Sequence, residues 1–158
     1  MPPNRSARVA QFSQSQIRQL YSIRGMLVSH ALELTVDSYT EKDLQALENC
    51  LVRQEEAFRE YAFEDYLSAI YDFFFYIIHK ANNPYLDEIA NSSLRRINVF
   101  LCLYDNFYCV EKLKTLPQHR KILKAIGQGK TKTATQIHAE LNNRILNAYD
   151  YMVLSNTE

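Results

Sequence analysis

The stretch FEDYLSAIYDFFFYIIHKANNP, residues 63–84, decides the fold of this chain. Its apolar side chains recur at steps of three and four, at Phe63, Leu67, Ile70, Phe74, Ile77 and Ala81. A helix with so wide an apolar stripe must be largely buried, so other helices have to surround it. Asn83 precedes Pro84, and the residue before a proline is pushed out of the α region. The pattern therefore predicts a helix end at this point and a new helix starting at Pro84.

Amphipathic periodicity extends over most of the remaining chain. Thr40 with Asp43 three residues later predicts a capping box at the start of a second helix. The other helices are predicted at about 13–34, 63–81, 84–107, 118–126 and 131–153. Short loops between them favour an all-α fold, an antiparallel bundle of six or seven helices. Residues 12–154 form this domain, and the polar, proline-bearing residues 1–11 are interpreted as a linker or disordered arm.

The composition limits the classes of function. The 158 residues include eighteen basic and eighteen acidic side chains, so the formal net charge is zero. The chain therefore lacks the excess of basic residues that is typical of a nucleic-acid-binding domain. No apolar run approaches the roughly 20 residues of a membrane span, and no signal core opens the chain. We therefore expect a cytoplasmic protein without membrane contact. The three cysteines show no metal-binding or disulfide spacing, and we assign them no role.

Arg24 interrupts the apolar stripe of the first helix, which runs Ile17, Leu20, Arg24, Leu27, Ala31, Leu34. Burying an unpaired guanidinium costs several kcal/mol, so a carboxylate of the protein or of a ligand should face it. The alternative is an arginine at the edge of the stripe that reaches solvent or pairs with a glutamate. Helical geometry alone leaves both interpretations open.

Evidence for catalysis is missing from the sequence. There is no nucleophile elbow, no HExxH, no phosphate-binding glycine loop and no close carboxylate pair with an evident partner. We predict no catalytic residues and no enzyme. The eleven tyrosines and eight phenylalanines are interpreted as core, although aromatic rings also line pockets for apolar ligands.

Three segments together resemble one protein family. They are IRQLYSIRGMLVSHALELTV at 17–36, FFFYIIHKANNPYL at 73–86 and QHRKILKAIGQGKTKTA at 118–134. Their order and spacing are similar to those of the effector-binding (FCD) domain of FadR-like GntR transcription regulators. The positions that fit the family pattern are Arg24, Ala81, Asn83, Pro84, His119, Ala125, Ile126 and Gly129. The resemblance spans about residues 12–152.

The resemblance implies a non-enzymatic ligand sensor that forms homodimers. In such regulators a winged helix-turn-helix precedes this domain, and residues 1–11 are too few to build one. We therefore expect the DNA-binding domain to be absent from this chain, so that DNA is contacted only through that missing N-terminal domain.

The likeness fails at the metal site that many members of the family carry. The family's Asp and His on the third helix correspond here to Ile70 and Phe74, and the last histidine position falls near Leu141. His119 is the one clear match. An apolar wall replaces the metal ligands, so we predict a pocket without metal or cofactor. Convergence of Asp72, His119 and His138, which lies one turn before Leu141, would overturn this prediction.

The sequence therefore predicts a sensor for a small carboxylate or acyl-type effector. Its charged end would meet Arg24, and its apolar part would pack on Ile70 and Phe74, with Leu141 also at the pocket. Asn83 and His119 are the next expected polar contacts. The alternative is a helical interaction or dimerisation module with no small-molecule ligand, in which Arg24 is paired internally and no cavity is enclosed. A metal-dependent helical enzyme would need ligands that the sequence does not offer.

Overall fold

The computed structural model describes residues 12–35 and 37–148, and every regular element within these ranges is a helix. The helices are α1 (Gln14–Thr35), α2 (Glu41–Arg59), α3 (Phe63–His79), α4 (Pro84–Tyr104), α5 (Tyr108–Glu111), α6 (Thr115–Gly127) and α7 (Thr131–Asn147). Short turns join them into a bundle, which confirms the predicted all-α fold. Among the described residues, no helix is long and apolar enough to cross a membrane.

Helix α3 lies at the centre of the bundle and packs against α1, α2 and α4. Its predicted stripe is buried at Leu67, Ile70, Phe74 and Ile77, whereas Phe63 and Ala81 at the two ends are half-buried. On the other side of α1, helix α7 closes the bundle and α6 packs against both α7 and α2. Side chains from α1, α3, α6 and α7 consequently meet in the interior.

The predicted capping box at the start of α2 is confirmed. The hydroxyl of Thr40 accepts the Asp43 backbone N–H at 3.3 Å, and the Asp43 carboxylate accepts the Thr40 N–H at 2.7 Å. The same carboxylate accepts the Tyr76 hydroxyl at 2.7 Å and the Lys80 ammonium at 2.8 Å. Burial alone would raise the pKa of Asp43, but these hydrogen bonds hold it well below its usual range. Asp43 thus ties the start of α2 to the end of α3.

The turn between α3 and α4 follows the prediction closely. Helix α3 ends at His79, two residues before the predicted residue 81, Asn82 takes a positive φ of 52° in the turn, and Pro84 occupies the first turn of α4. The Asn83 side chain accepts the Tyr85 N–H at 3.0 Å and so caps α4.

Helix α4 ends earlier than the predicted residue 107. Asn106 and Phe107 both have positive φ, 41° and 66°, which a helix cannot accommodate. Asp105 bridges the break, because its Oδ1 accepts the Cys109 N–H at 2.6 Å and starts the four-residue helix α5. The predicted continuation of the last helix to residue 153 and the predicted arm at 1–11 fall outside the described residues.

Asp43→Ala should lower the free energy of unfolding by about 2–3 kcal/mol, because it removes a helix cap and leaves the Lys80 ammonium unpaired. Urea unfolding followed by circular dichroism measures this change. Asp72→Ala is the matched control, since Asp72 pairs with Arg53 at 2.7 Å on the surface. An exposed pair contributes at most about 1 kcal/mol, so equal losses for the two variants would contradict the role given to Asp43.

Candidate functional site

Arg24 is buried at the middle of α1, with only 3% of its surface exposed. Its guanidinium carbon lies 4.6 Å from the ring centroid of Tyr21 and 4.6 Å from that of Phe74. Its Nη2 donates a hydrogen bond to Oδ1 of Asn142 at 2.7 Å. Two aromatic faces and one amide therefore surround the cation, and they come from α1, α3 and α7. The arginine does not reach solvent at the edge of the stripe.

The charge of Arg24 is not balanced by a carboxylate. Burial lowers the pKa of its guanidinium, yet arginine keeps its proton in proteins. Within residues 12–35 and 37–148 it forms no ion pair, and its Nε lacks a hydrogen-bond partner. Cation–π contacts of about 2 kcal/mol each when desolvated offset only part of the cost of burying a charge. The interior of the bundle therefore holds a cation without an ion-pair partner among the described residues.

Two histidines flank this site and are held neutral. His119 of α6 stacks on Phe73 with centroids 5.5 Å apart and meets the ring of Phe74 edge-on at 5.3 Å. His138 of α7 lies 4.9 Å from the Phe74 ring. Burial, followed by the charge of Arg24, lowers the pKa of His119 to about 3 and that of His138 well below its usual range. Arg24 is thus the positive charge of this cluster near neutral pH.

The tautomer of His119 follows from its hydrogen bond. Its Nδ1 lies 2.8 Å from the carboxamide oxygen of Gln54, which can only accept. The proton therefore sits on Nδ1, and Nε2 keeps its lone pair. For His138, Nε2 has no hydrogen-bond partner in the described part of the chain. His119 can therefore offer Nε2 as an acceptor to a molecule entering the cluster, and His138 can offer Nε2 as an acceptor or, in the other tautomer, as a donor.

A small cavity adjoins Arg24. Its volume is about 20 Å³, which is enough for one water molecule. We call it the Arg24 cavity, and its lining consists of Tyr21, Arg24, Tyr66, Ile70, Leu101, Asp105, Cys109, Thr115, His119 and Ile145. Both polar and apolar groups line it, and the Tyr66 hydroxyl lies 3.1 Å from the Thr115 hydroxyl. The arrangement provides a buried cation, hydrogen-bonding groups and an apolar wall around one small cavity.

The structure brings together most of the predicted site residues. Arg24, Ile70 and His119 line the Arg24 cavity, and Phe74 lies against Arg24 and both histidines. Leu141 is fully buried on α7 but does not line the cavity. Asn83 does not line it either, because its side chain is the cap of α4.

Asp105 and Asn142 belong to the site but were not predicted. Asp105 is 2% exposed, and its Oδ2 has no hydrogen-bond partner among the residues described. Burial raises its pKa to about 6, against the opposing hydrogen bond from Cys109. The sequence offered two signals: Asp105-Asn106 is a turn-forming pair, and Asn142 follows His138 by one helical turn on the same face.

The residues do not fit a metal centre. Ile70 and Phe74 supply no donor atoms, and no group of three His, Cys, Asp or Glu side chains in residues 12–35 and 37–148 is arranged to hold an ion. Asp72 does not join His119 and His138, because its carboxylate pairs with Arg53 at the surface with 43% of the side chain exposed. The chemistry available here is recognition of an anion or hydrogen-bonding group.

Comparison with known proteins identifies the family. Residues 19–143 match the FCD domain family. No curated protein matches the chain in sequence. Three solved structures share the fold at 21% identity: Lar, which controls expression of the Listeria monocytogenes agr system, McbR/YncC of E. coli, and a GntR-family regulator of Pseudomonas syringae pv. tomato str. DC3000.

These structural matches cover nearly all of the present chain but only part of the solved proteins. Lar superposes with a TM-score of 0.76 over 88% of this chain and 66% of its own. McbR/YncC gives 0.74 over 94% and 76%, and the Pseudomonas regulator gives 0.76 over 94% and 61%. The chain therefore spans less than two thirds of Lar and of the Pseudomonas regulator. Since the family match includes most of its residues, the chain belongs to the FCD domain family, the non-enzymatic effector-binding domain of GntR-type transcription regulators.

Proposed function

We propose that the Arg24 cavity is the effector site and that the effector carries a carboxylate. The observation that supports this most strongly is the unbalanced charge of Arg24, which is 3% exposed and has an unpaired Nε. A carboxylate bound beside it would supply the missing counter-charge and a charge-assisted hydrogen bond. Because both histidines are neutral, the attraction for an anion comes from Arg24.

The remaining contacts fit a small organic acid or an acyl compound. Ile70 and Phe74 provide apolar surface for the carbon chain, and Leu141 belongs to the same core cluster. His119 lines the cavity, and its Nε2 can accept a hydrogen bond from a donor group of the effector. Asn83 is left out of the proposed contacts because its carboxamide caps α4.

An organic effector needs a larger space than the 20 Å³ of the closed cavity. The segment 105–114 is suited to move, because α5 has only four residues and Asn106, Phe107 and Lys114 around it all hold positive φ. Such backbone costs about 1–3 kcal/mol per strained residue and persists only where the surroundings hold it. Asp105 and Cys109 of this segment line the cavity. An effector that binds the enlarged arrangement better would shift the population toward it.

We further propose a homodimer formed by the outer face of α4. Exposed residues recur there at steps of four and three, the spacing of a helix–helix seam: Tyr85, Ile89, Ser92, Arg96 and Val99. Ile89 and Val99 are 48% and 44% exposed, large fractions for aliphatic side chains. A surface groove of about 590 Å³ between α1 and the end of α4 continues this apolar face past Leu20 and Ile23.

Charge supports a second copy of the chain as the occupant of this face. Glu88 and Arg96 lie four residues before and four residues after Ser92, and all three are exposed. If two α4 helices cross antiparallel at Ser92, Glu88 of each copy faces Arg96 of the other, and the small serine allows close approach. The surface is therefore self-complementary, as a two-fold interface requires.

In the whole regulator, movement of the helices around the effector would change the relative orientation of the two subunits. A DNA-binding domain attached to each subunit would then be respaced on the operator, and DNA would be contacted by that domain. Binding of the effector changes binding of DNA only if the effector binds one arrangement of the dimer more tightly than the other. We keep the cytoplasm as the predicted compartment of such a regulator.

The competing function is a helical interaction or dimerisation module without a small-molecule ligand. Two observations favour it: Arg24 already donates one hydrogen bond to Asn142, and the cavity holds no more than a water molecule. In that case Arg24 would serve only to orient α1 against α7. A ligand screen separates the two functions.

Arg24→Gln should weaken carboxylate binding roughly 10- to 100-fold, because hydrogen bonds to a charged group contribute about 1.5–3 kcal/mol. Native mass spectrometry with a panel of organic acids and acyl thioesters detects the bound effector, and calorimetry measures its affinity. Arg18→Gln is the matched control, since Arg18 is exposed on the same helix. If the wild-type chain binds no acid, or if Arg24→Gln binds the acid with the same affinity, the proposed site is contradicted and the interaction module is favoured.

Arg96→Glu should dissociate the dimer, because it places two glutamates together at each end of the α4 crossing. The double variant Glu88→Arg with Arg96→Glu restores opposite charges and should recover the dimer. Sedimentation equilibrium measures both, with Lys121→Glu at an exposed position of α6 as control. A wild-type monomer, or a dimer insensitive to Arg96→Glu, would exclude this interface.

His119→Gln should reduce the loss of folding free energy that occurs as the pH falls below about 6.5. The unfolded chain takes up a proton on this side chain below about pH 6.5, but the folded one does so only near the pKa of about 3. Stability from this group is therefore present above pH 6.5 and is lost as the pH falls, by about 1.4 kcal/mol per pH unit.

Asp105, with its pKa raised to about 6, makes the folded protein more stable as the pH falls from about 6 to 4. The contribution of His119 is therefore obtained only as the difference in slope between wild type and His119→Gln. Urea unfolding from pH 6 to 4 measures the slope, with the exposed His30→Gln variant as control. Identical slopes for wild type and His119→Gln would mean that His119 is charged in the folded protein.

A further inference from the structure

Phe107, just after the end of α4, combines a strained backbone with a buried ring. Its φ is 66°, a left-handed conformation that is an outlier for a bulky side chain, yet only 5% of the residue is exposed. Asn106 and Lys114 also have positive φ, 41° and 56°, so strained residues lie at both ends of the segment 105–114. Such residues persist only where the surrounding structure holds them, and they cluster at ligand clamps and switch regions.

An aromatic cage holds the ring of Phe107. Its centroid lies 4.8 Å from that of Phe63, 5.4 Å from Tyr66, 5.5 Å from Phe58 and 6.2 Å from Tyr61. We call these four rings, which come from α2, the following turn and α3, the Phe107 cage. All four meet Phe107 edge-on or tilted, as aromatic pairs prefer at these distances. The ring therefore anchors the segment to the bundle against the strain of its own backbone.

The hydrogen bonds that shape α5 are local. The Cys109 N–H donates to Oδ1 of Asp105 at 2.6 Å, and the Glu111 N–H donates to the Phe107 carbonyl at 3.0 Å. A helix of four residues is not stable by itself, so its position depends on buried side chains. Phe107 is the largest of these, and Cys109 and Val110 are the others in the segment after Asp105.

The same segment forms part of the wall of the Arg24 cavity. Asp105 and Cys109 line the cavity, and Tyr66 joins the cavity to the Phe107 cage. The Tyr66 hydroxyl is hydrogen-bonded to Thr115 at the cavity, while its ring contacts Phe107. Displacement of residues 105–114 would remove one wall of the cavity without disturbing the long helices.

We propose that residues 105–114 form a strap that opens and closes the Arg24 cavity, and that Phe107 in its cage is the latch. The strained residues at the two ends of the strap favour opening, and the four ring contacts of Phe107 favour closure. The inference deepens the proposed function, on which it rests for the identity of the molecule that enters. The opening itself is a property of the chain and is measured without an effector.

The three native cysteines report on this opening in the unmodified chain. Cys102 is exposed, Cys109 lies in the strap and is 3% exposed, and Cys50 on α2 is 7% exposed. Iodoacetamide modifies a thiol only when it is accessible, and mass spectrometry of the peptides gives a rate for each cysteine. Local opening exposes little surface, so the Cys109 rate should be nearly independent of urea below the unfolding transition. A Cys109 rate that rises with urea as steeply as global unfolding, followed by circular dichroism, would overturn the strap.

Two variants test the latch. Phe107→Ala removes the caged ring and should raise the Cys109 rate about 10-fold or more, with the Cys50 rate unchanged. Tyr61→Ala removes one wall of the cage that is 77% exposed, and should raise the Cys109 rate about 2- to 10-fold without a loss from the core. Tyr85→Ala is the matched control, because Tyr85 is 76% exposed and lies about 30 Å along α4 from Asp105.

The outcomes separate this inference from the proposed function. If the Cys109 rate relative to that of Cys50 is the same in wild type and Tyr61→Ala, Phe107 is not a latch, even where Phe107→Ala fails to fold. Failure of every carboxylate in the ligand screen would overturn the proposed function and leave the alkylation rates as they are.

Discussion

A guanidinium buried in the middle of a helical bundle, with no carboxylate paired to it in the described chain, is the constraint on which the rest of the site depends. Arg24 is held by the faces of Tyr21 and Phe74 and by the amide of Asn142. These contacts join α1, α3 and α7, so the charge also fixes how the helices meet. Its field, together with burial, keeps His119 neutral. A buried cation left in this condition is costly to folding, and an anion bound as proposed would offset that cost.

The small cavity and the left-handed residues around α5 are the features that would let the proposed effector site act as a switch. A cavity of about 20 Å³ discriminates strongly by size, and any organic ligand has to change the packing around it. The chain segment with the shortest helix and three non-glycine residues at positive φ borders that cavity. Ligand binding would therefore stabilise a different arrangement of residues 105–114, as a two-state sensor requires.

Local rules predicted most of the fold and part of the site. Helical periodicity located α3 and its buried face, the Thr40 and Asp43 pattern gave the cap of α2, and Asn83-Pro84 gave the start of α4. These signals lie within a few residues of each other. Arg24 was recognised as a charge on a core face for the same reason.

What could not be predicted depends on distant parts of the chain. Asn142 is 118 positions from Arg24, and nothing local says that an amide rather than a carboxylate meets the guanidinium. The break at Asp105 was hidden because Tyr104 and Phe107 continue the apolar stripe of α4, and burial of Phe107 outweighs its unfavourable φ. Asn83 was expected at the pocket from the resemblance, whereas its side chain caps the helix that follows it.

The measurement that tests the central claim most directly is the Nε–Hε resonance of Arg24 in ¹⁵N-labelled protein, assigned by its loss in Arg24→Gln and followed while carboxylates are titrated. We predict a downfield shift of Hε that saturates with one carboxylate per subunit, because the unpaired Nε–H gains an anionic acceptor. A resonance that stays in place while a carboxylate binds would show that the acid is held elsewhere. Arg24 would then be a structural cation and not the anchor of an effector.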